Sequence, residues 1–170
     1  MITLDPPRGI SAAADPWLAL GLSSAGLTRF VQAAQKKVKL RGEVSVLLAD
    51  DRMLKRLNRE FRHKNKATDV LSFPAPAELQ RQVAGDLAIS LETAQRQADE
   101  HGHSLRDELR ILLLHGLLHL KGMDHETDKG EMASREAELR RELRLRTTLI
   151  ARVTRPVVTD SKPPRRKARS

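Results

Sequence analysis

The segment 105–125 constrains the fold more than any other part of the chain, because it combines a long apolar helix pattern with three histidines. Residues 111–120 read ILLLHGLLHL, which is apolar nearly all round and predicts a buried helix. His115 and His119 are four residues apart, so a helix places both imidazoles on one face. Gly122 follows the helix and can adopt the left-handed conformation that turns the chain back toward the helix end. This turn would bring His125 to the other two histidines.

Three imidazoles in this arrangement predict a metal site. A buried imidazole needs a hydrogen-bond partner or a metal ion, and neutral imidazole is a good ligand for Zn²⁺. Catalytic zinc sites have three protein ligands and one open position, whereas structural sites have four protein ligands and usually include cysteine. The chain has no cysteine. We therefore expect one Zn²⁺ ion per chain on His115, His119 and His125, and core histidines satisfied by hydrogen bonds are the alternative.

Glycine at position 116 argues against a peptidase. The histidine spacing is similar to the H-E-x-x-H-x-x-G-x-x-H signature of metzincin proteases, but Gly116 stands where those proteases have the glutamate that acts as general base. Glycine inside a helix costs about 1 kcal/mol relative to alanine. Its presence indicates a close approach to the backbone, either by substrate or by a packed strand, and we favour the strand.

A second segment, residues 57–74, carries cations suited to a phosphate-containing substrate. Arg62 is the candidate for a catalytic clamp, because a guanidinium binds phosphate oxygens in a bidentate fork. The other candidates for substrate binding are Arg59, Lys64 and Lys66. For most of these cations a solvated loop is the stronger alternative.

Acidic residues near the histidines have two interpretations. Asp124 and Glu126 flank His125. Each could act as a base or could hydrogen-bond and orient a metal-bound imidazole, and we favour the orienting role. Asp69 and Asp86 could line the same cleft, but we expect them to cap or hydrogen-bond the backbone.

Four segments together resemble the YbeY family of bacterial endoribonucleases, which act in rRNA maturation. They are LNREFR…ATDVLSFP within 57–74, GDLAIS at 85–90, GHSLRDEL at 102–109 and HGLLHLKGMDH at 115–125. The resemblance implies that His115, His119 and His125 bind zinc and that Arg62 and His115 are catalytic. It departs from the family at Phe61 and Met123, where tyrosine is usual.

The resemblance also implies a function. We expect a single-strand-specific, zinc-dependent endoribonuclease that acts in small-subunit rRNA maturation and ribosome quality control. Its partners would be an rRNA precursor, a small-subunit ribosomal protein and an assembly GTPase. A ribosome-assembly factor with a non-catalytic zinc site is the alternative, and a metallopeptidase is a weaker one.

Composition agrees with an RNA substrate. The chain of 170 residues has a net charge of +9, which favours polyanions. From Arg152 onward it has seven Lys or Arg, one Asp and three Pro, which is typical of a basic disordered tail. Three Phe, one Trp and no Tyr offer little for base stacking. With neither a signal peptide nor an apolar stretch of about 20 residues, we expect no membrane contact and a cytoplasmic location.

Alternating helices and short strands predict an α/β (α+β) fold, with a small mixed β-sheet packed with helices and a zincin-like metal helix. Predicted strands cover 44–48, 70–73 and 86–89. Predicted helices cover 27–38, 51–61, 91–100, 105–120 and 129–145, with Asp50 or Asp51, Ser90 and Ser104 as caps. The domain organisation expected is an irregular segment over 1–24 with a short element near Trp17, a metal-dependent hydrolase domain over 25–150, and the tail over 151–170.

Overall fold

A mixed four-stranded sheet forms the centre of this computed structural model, which describes residues 1–11, 14–62 and 68–154. The strands are β1 (Ile2–Leu4), β2 (Glu43–Ala49), β3 (Val70–Pro74) and β4 (Val83–Ser90). They lie in the order β1-β2-β4-β3, with parallel β1–β2 and β2–β4 pairs and an antiparallel β3–β4 pair. The predicted small mixed sheet is thus confirmed.

Seven α-helices surround this sheet within the described residues. They are α1 (Pro16–Ala19), α2 (Ser24–Val38), α3 (Asp51–Arg62), α4 (Leu91–His101), α5 (Leu105–Leu120), α6 (Glu131–Glu142) and α7 (Leu149–Thr154). A larger core joins one face of the sheet to α2 and α5, and a smaller one joins the other face to α3. Helix α5 is buried nearly all round, as its sequence predicts.

Side-chain caps begin the helices where the sequence places them. The hydroxyl of Ser104 accepts a hydrogen bond from the Asp107 backbone N–H at the start of α5, at 3.1 Å. Ser90 does the same for Thr93 in α4, at 3.2 Å. Of the two aspartates considered for α3, Asp50 is the cap, since its Oδ1 accepts from the Met53 N–H at 2.9 Å.

The expected irregular segment over 1–24 is wrong in part, because residues 2–4 form β1 at the edge of the sheet. A three-residue strand is too short for an alternating pattern to show, and only its pairing with β2 reveals it. The short element expected near Trp17 is present as α1, with Asp15 as its cap.

The predicted start of the disordered tail, residue 151, is too early, because α7 continues to Thr154. Residues 155–170 lie outside the described part of the chain. Arg152, which the composition assigned to the tail, instead forms a nearly buried ion pair. The two terminal guanidinium nitrogens of Arg152, Nη1 and Nη2, donate to the Glu108 carboxylate at 2.9 and 2.8 Å. His103 Nε2 lies 2.6 Å from the same carboxylate.

In the described ranges, no helix combines the length and apolar character that crossing a membrane requires.

The Arg152–Glu108 pair should stabilise the fold through α7. Arg152→Met leaves a fully buried carboxylate without its guanidinium, so the free energy of unfolding should fall by about 3 kcal/mol or more. Urea unfolding of zinc-loaded protein measures this loss. Arg146→Met is the matched control, because the Arg146 side chain is 65% exposed, and it should cost less than about 1 kcal/mol. Equal losses in both variants would refute the anchoring role.

Candidate metal centre

Three imidazoles converge at the C-terminal end of α5. His115 and His119 project from this helix, and His125 comes from the loop that follows it. One ligand nitrogen from each lies within 4.8 Å of the others, and the Nε2 atoms of His115 and His119 are 3.0 Å apart. His115 is buried, whereas the other two are partly exposed. The fold thus brings together the three predicted ligands.

A glycine turn carries the chain from the second histidine to the third. Gly122 has a φ of 98°, so the predicted left-handed conformation is confirmed. Its N–H donates to the His119 carbonyl at 2.9 Å, and the Met123 N–H donates to the Leu118 carbonyl at 3.1 Å. These two bonds form the Schellman motif that ends a helix and reverses the chain. The reversal places His125 opposite the last turn of α5.

A buried glutamate from α6 fixes the orientation of the first histidine. Glu136 is fully buried, and its Oε1 lies 3.0 Å from His115 Nδ1. A carboxylate accepts this bond, so Nδ1 carries the proton and the Nε2 lone pair faces the other imidazoles. The second carboxylate oxygen accepts from the Ile150 N–H of α7, at 3.3 Å. Glu136 therefore connects the site to α7.

The donor set fits a zinc ion. Two nitrogens bound to one tetrahedral zinc ion lie about 3.3 Å apart, which is close to the observed separation of His115 and His119. His125 Nδ1 is buried and has no hydrogen-bond partner among the described residues. An orphaned buried nitrogen is costly unless a bound cation satisfies it. The three residues can therefore hold a metal ion.

Electrostatics keep the second histidine in the form that binds metal. Burial, followed by repulsion from His115 and His125, lowers the pKa of His119 below its ordinary value. A lowered pKa favours neutral imidazole, which has the free lone pair that a ligand needs.

Close packing explains the glycine inside α5. A Cβ added at Gly116 would lie 2.8 Å from a terminal methyl of Leu87 on β4. The favoured interpretation, a packed strand rather than a substrate, is therefore confirmed. Ser72 on β3 also lies against this point, since its hydroxyl donates to the Gly116 carbonyl at 3.4 Å.

Arg62 lies beside the histidines, in one pocket with them. It ends α3, and its Nη2 donates to the backbone carbonyl of Ser72 at 2.5 Å. The same guanidinium lies 5.9 Å from the centre of the Phe73 ring. These contacts hold one side of the guanidinium while the residue as a whole is exposed to the pocket.

The acidic residues near the histidines have different contacts in the structure. Asp124 Oδ1 accepts from the backbone N–H of Glu126 at 3.0 Å, and this bond is the main cause of a lowered pKa at Asp124. Glu126 lines the pocket. Asp69 also lines it, but its carboxylate accepts from the Val70 N–H at 2.8 Å and from the Gln97 amide at 3.3 Å. Asp69 thus has the structural contacts expected of it.

The remaining cationic candidates do not join the site in the described residues. Arg59 lies on a different surface of α3, in a depression that it shares with Asp5 and Asp50. Lys64 and Lys66 lie outside the described residues.

Comparison with known proteins agrees with this geometry. A family profile described as Endoribonuclease YbeY matches residues 23–144. The chain belongs to the endoribonuclease YbeY family. The sequence resemblance is thus confirmed, and the matched range contains all three histidines and Arg62.

Individual relatives of the YbeY family extend the comparison. An endoribonuclease YbeY of Koribacter versatilis is 53% identical over 80% of this chain and 88% of its own. A chloroplastic one of Arabidopsis thaliana is 52% identical over 56% of this chain and 17% of its own. A solution structure of a Thermotoga maritima protein is 27% identical, with a TM-score of 0.54 over 84% of this chain and 89% of that one.

Sequence reasoning missed two residues that contribute to the site, one that contacts His115 and one that lines the pocket. Glu136 follows Met132 by four residues and precedes Leu139 by three, so it lies on the apolar stripe of α6, where a carboxylate needs a partner. That spacing could have revealed it. Asn58 is buried one helical turn before Arg62 and also lines the pocket. Its spacing, four residues after Leu54 and three before Phe61, is the same signal.

Removal of the Glu136 charge should weaken metal binding. Glu136→Gln keeps the shape of the side chain but removes the negative charge behind His115, so zinc affinity should fall roughly 10–100-fold. Competition with a chromophoric chelator measures this affinity. Glu138→Gln is the control, since Glu138 is an exposed glutamate of the same helix, paired with Arg135. Unchanged affinity in the Glu136 variant would exclude the orienting role.

Proposed function

We propose that this chain is a single-strand-specific, zinc-dependent endoribonuclease that acts in the cytoplasm in small-subunit rRNA maturation and ribosome quality control. The observation that carries the proposal is the juxtaposition of the three-histidine group with Arg62 in one pocket, within a chain of the YbeY family. The names of its relatives support cleavage of RNA.

The three histidines support a catalytic rather than a structural ion. The described ligand group contains three residues, and an open fourth position is the feature that separates catalytic zinc from structural zinc. When bound, the ion supplies Lewis acidity toward a phosphoryl oxygen and toward water. The chain itself supplies the orientation, through the Glu136 contact to His115.

Arg62 is suited to hold the phosphate that reacts. Its bond to the Ser72 carbonyl uses one of its five N–H donors, so others remain for phosphate oxygens. Because β3 fixes this anchor, the guanidinium is positioned before substrate arrives. Charge that grows on the phosphate during cleavage would be stabilised by this fixed cation.

The proposed substrate is an rRNA precursor, and the proposed partners are a small-subunit ribosomal protein and an assembly GTPase. The net charge of +9 supports a polyanionic substrate. A peptidase is disfavoured, because Gly116 occupies the position of the base and packs against Leu87. An assembly factor with non-catalytic zinc is the remaining alternative, and the following experiment separates it from the nuclease.

Loss of one ligand should remove both zinc and cleavage. We expect near-stoichiometric zinc in protein purified without added metal, and we expect His119→Ala to lose it together with cleavage of a labelled single-stranded rRNA fragment. Metal analysis and gel electrophoresis measure the two quantities. His101→Ala is the control, because this exposed histidine ends α4 and stacks on His103 outside the metal group.

Two outcomes would contradict the proposal. Zinc without cleavage, even with ribosomes and partner proteins added, would favour the assembly factor. Cleavage that survives the loss of zinc in His119→Ala would exclude a zinc-dependent reaction.

Replacement of Arg62 should slow RNA cleavage without changing the zinc content of the protein. Arg62→Lys keeps a charge but loses the planar fork, so we expect a rate lower by about 10²-fold, with zinc content unchanged. Single-turnover cleavage of the same fragment measures the rate. Lys55→Gln removes an exposed cation from another part of α3 and serves as the control. Equal rates in parental protein and Arg62→Lys would remove Arg62 from the mechanism.

A further inference from the structure

An apolar groove lies on the sheet face opposite α5, between that face and α3. Its lining includes Leu47, Leu57, Phe61, Phe73, Asp86 and Ala88, and we call it the aromatic groove. Helix α3 covers only part of this sheet face, where Leu54 packs on Ala49, Leu71 and Ala88. Beyond this small core the groove is open.

Phe61 presents an aromatic ring to solvent at the rim of the aromatic groove. It is 64% exposed, which is unusual for a side chain of its size. Its ring meets that of Phe73 edge to face, with centroids 5.6 Å apart and an angle of 68° between the planes. Two of the three phenylalanines of the chain therefore meet in one exposed cluster. Composition alone gave no sign of such a platform.

Arg62 lies between the aromatic groove and the pocket that contains the three histidines, which we call the metal pocket. This residue follows Phe61 directly, lines the pocket with the histidines, and places its guanidinium 5.9 Å from the Phe73 ring centre. The Phe73 ring thus has the guanidinium on one side and Phe61 on another. A polymer held at Arg62 by a phosphate would have its neighbouring group beside these two rings.

The charges of the aromatic groove and of the metal pocket favour different parts of a nucleotide. The aromatic groove contains the exposed carboxylate of Asp86, which repels phosphate but accepts hydrogen bonds from the N–H groups of a nucleobase. Arg62 on the pocket side attracts phosphate. Aromatic rings stack on bases irrespective of sequence. The aromatic groove therefore suits the base of a nucleotide, and Arg62 suits its phosphate.

We propose that the aromatic groove is a nucleobase subsite that takes one unstacked base adjacent to the scissile phosphate, with Phe61 as the stacking residue. The proposal rests on the proposed nuclease function and deepens it. A base in a duplex is paired and stacked on its neighbours, so it cannot enter the groove without an unpairing cost. The subsite would thereby contribute to selection of single-stranded RNA.

The first test compares cleavage of intact RNA with cleavage of RNA that lacks one base. In zinc-loaded protein, Phe61→Ala should lower kcat/KM about tenfold on a single-stranded fragment, and Phe61→Trp should retain it. An abasic nucleotide, scanned through positions near the cleavage site, should cause a similar loss at one position in parental protein. At that position it should cause almost no further loss in Phe61→Ala, because both changes remove the same contact. Leu79→Ala, a change at an exposed apolar residue outside the groove, is the control.

A second measurement does not depend on cleavage. RNA that carries 2-aminopurine at the same position is titrated with His119→Ala protein, with and without the Phe61→Ala change, and its fluorescence reports stacking. A fluorescence change that requires Phe61 supports the subsite even if no cleavage is found, so failure of the proposed nuclease is distinguishable. Independent losses from the abasic nucleotide and from Phe61→Ala, or a fluorescence change that persists without Phe61, would overturn the proposal. Circular dichroism of every protein, and the zinc content of the Phe61→Ala single variant, show whether the variants are folded.

Discussion

The approach of α5 to the sheet at Gly116 is the constraint on which the site depends. A Cβ at this position would lie 2.8 Å from a terminal methyl of Leu87, so glycine allows the helix to lie this close to β4 without displacing that side chain. The same closeness allows the Ser72 hydroxyl to reach the Gly116 carbonyl and places the edge strand β3 next to His115. Because β3 also supplies the carbonyl that anchors Arg62, this packing contact helps to position the three histidines relative to Arg62, the proposed phosphate clamp.

Two buried glutamates tie the last described helix to this arrangement. Glu136 divides its carboxylate between His115 and the Ile150 N–H, and Glu108 holds Arg152 two residues further along α7. Charges buried in this way are costly unless each has its partner, so loss of one contact disturbs the next. Leu149 and Ile150 line the metal pocket. Helix α7 thus lines the metal pocket and also stabilises the fold.

The sequence predicted those parts of the molecule that depend on local pattern. Apolar periodicity, serine caps and the turn at Gly122 are local, and they located α5 and the three histidines correctly. The partners of Glu136 and Arg152 could not be assigned in the same way, because they lie 21 and 44 residues away in the sequence. Strand β1 was not predicted, for a similar reason. Three residues are too few to show an alternating pattern, and the strand pairs with β2 some forty positions away.

The aromatic groove shows why composition is a weak guide to recognition. Three phenylalanines in 170 residues offer few stacking surfaces if they are scattered. The fold concentrates two of them, because Phe61 lies in the last turn of α3 and its ring contacts that of Phe73 on β3. The helix end that carries Phe61 also carries Arg62, so adjacent residues face the groove and the metal pocket. The proposed stacking ring and the proposed phosphate clamp would therefore bind one nucleotide from adjacent positions of a single helix.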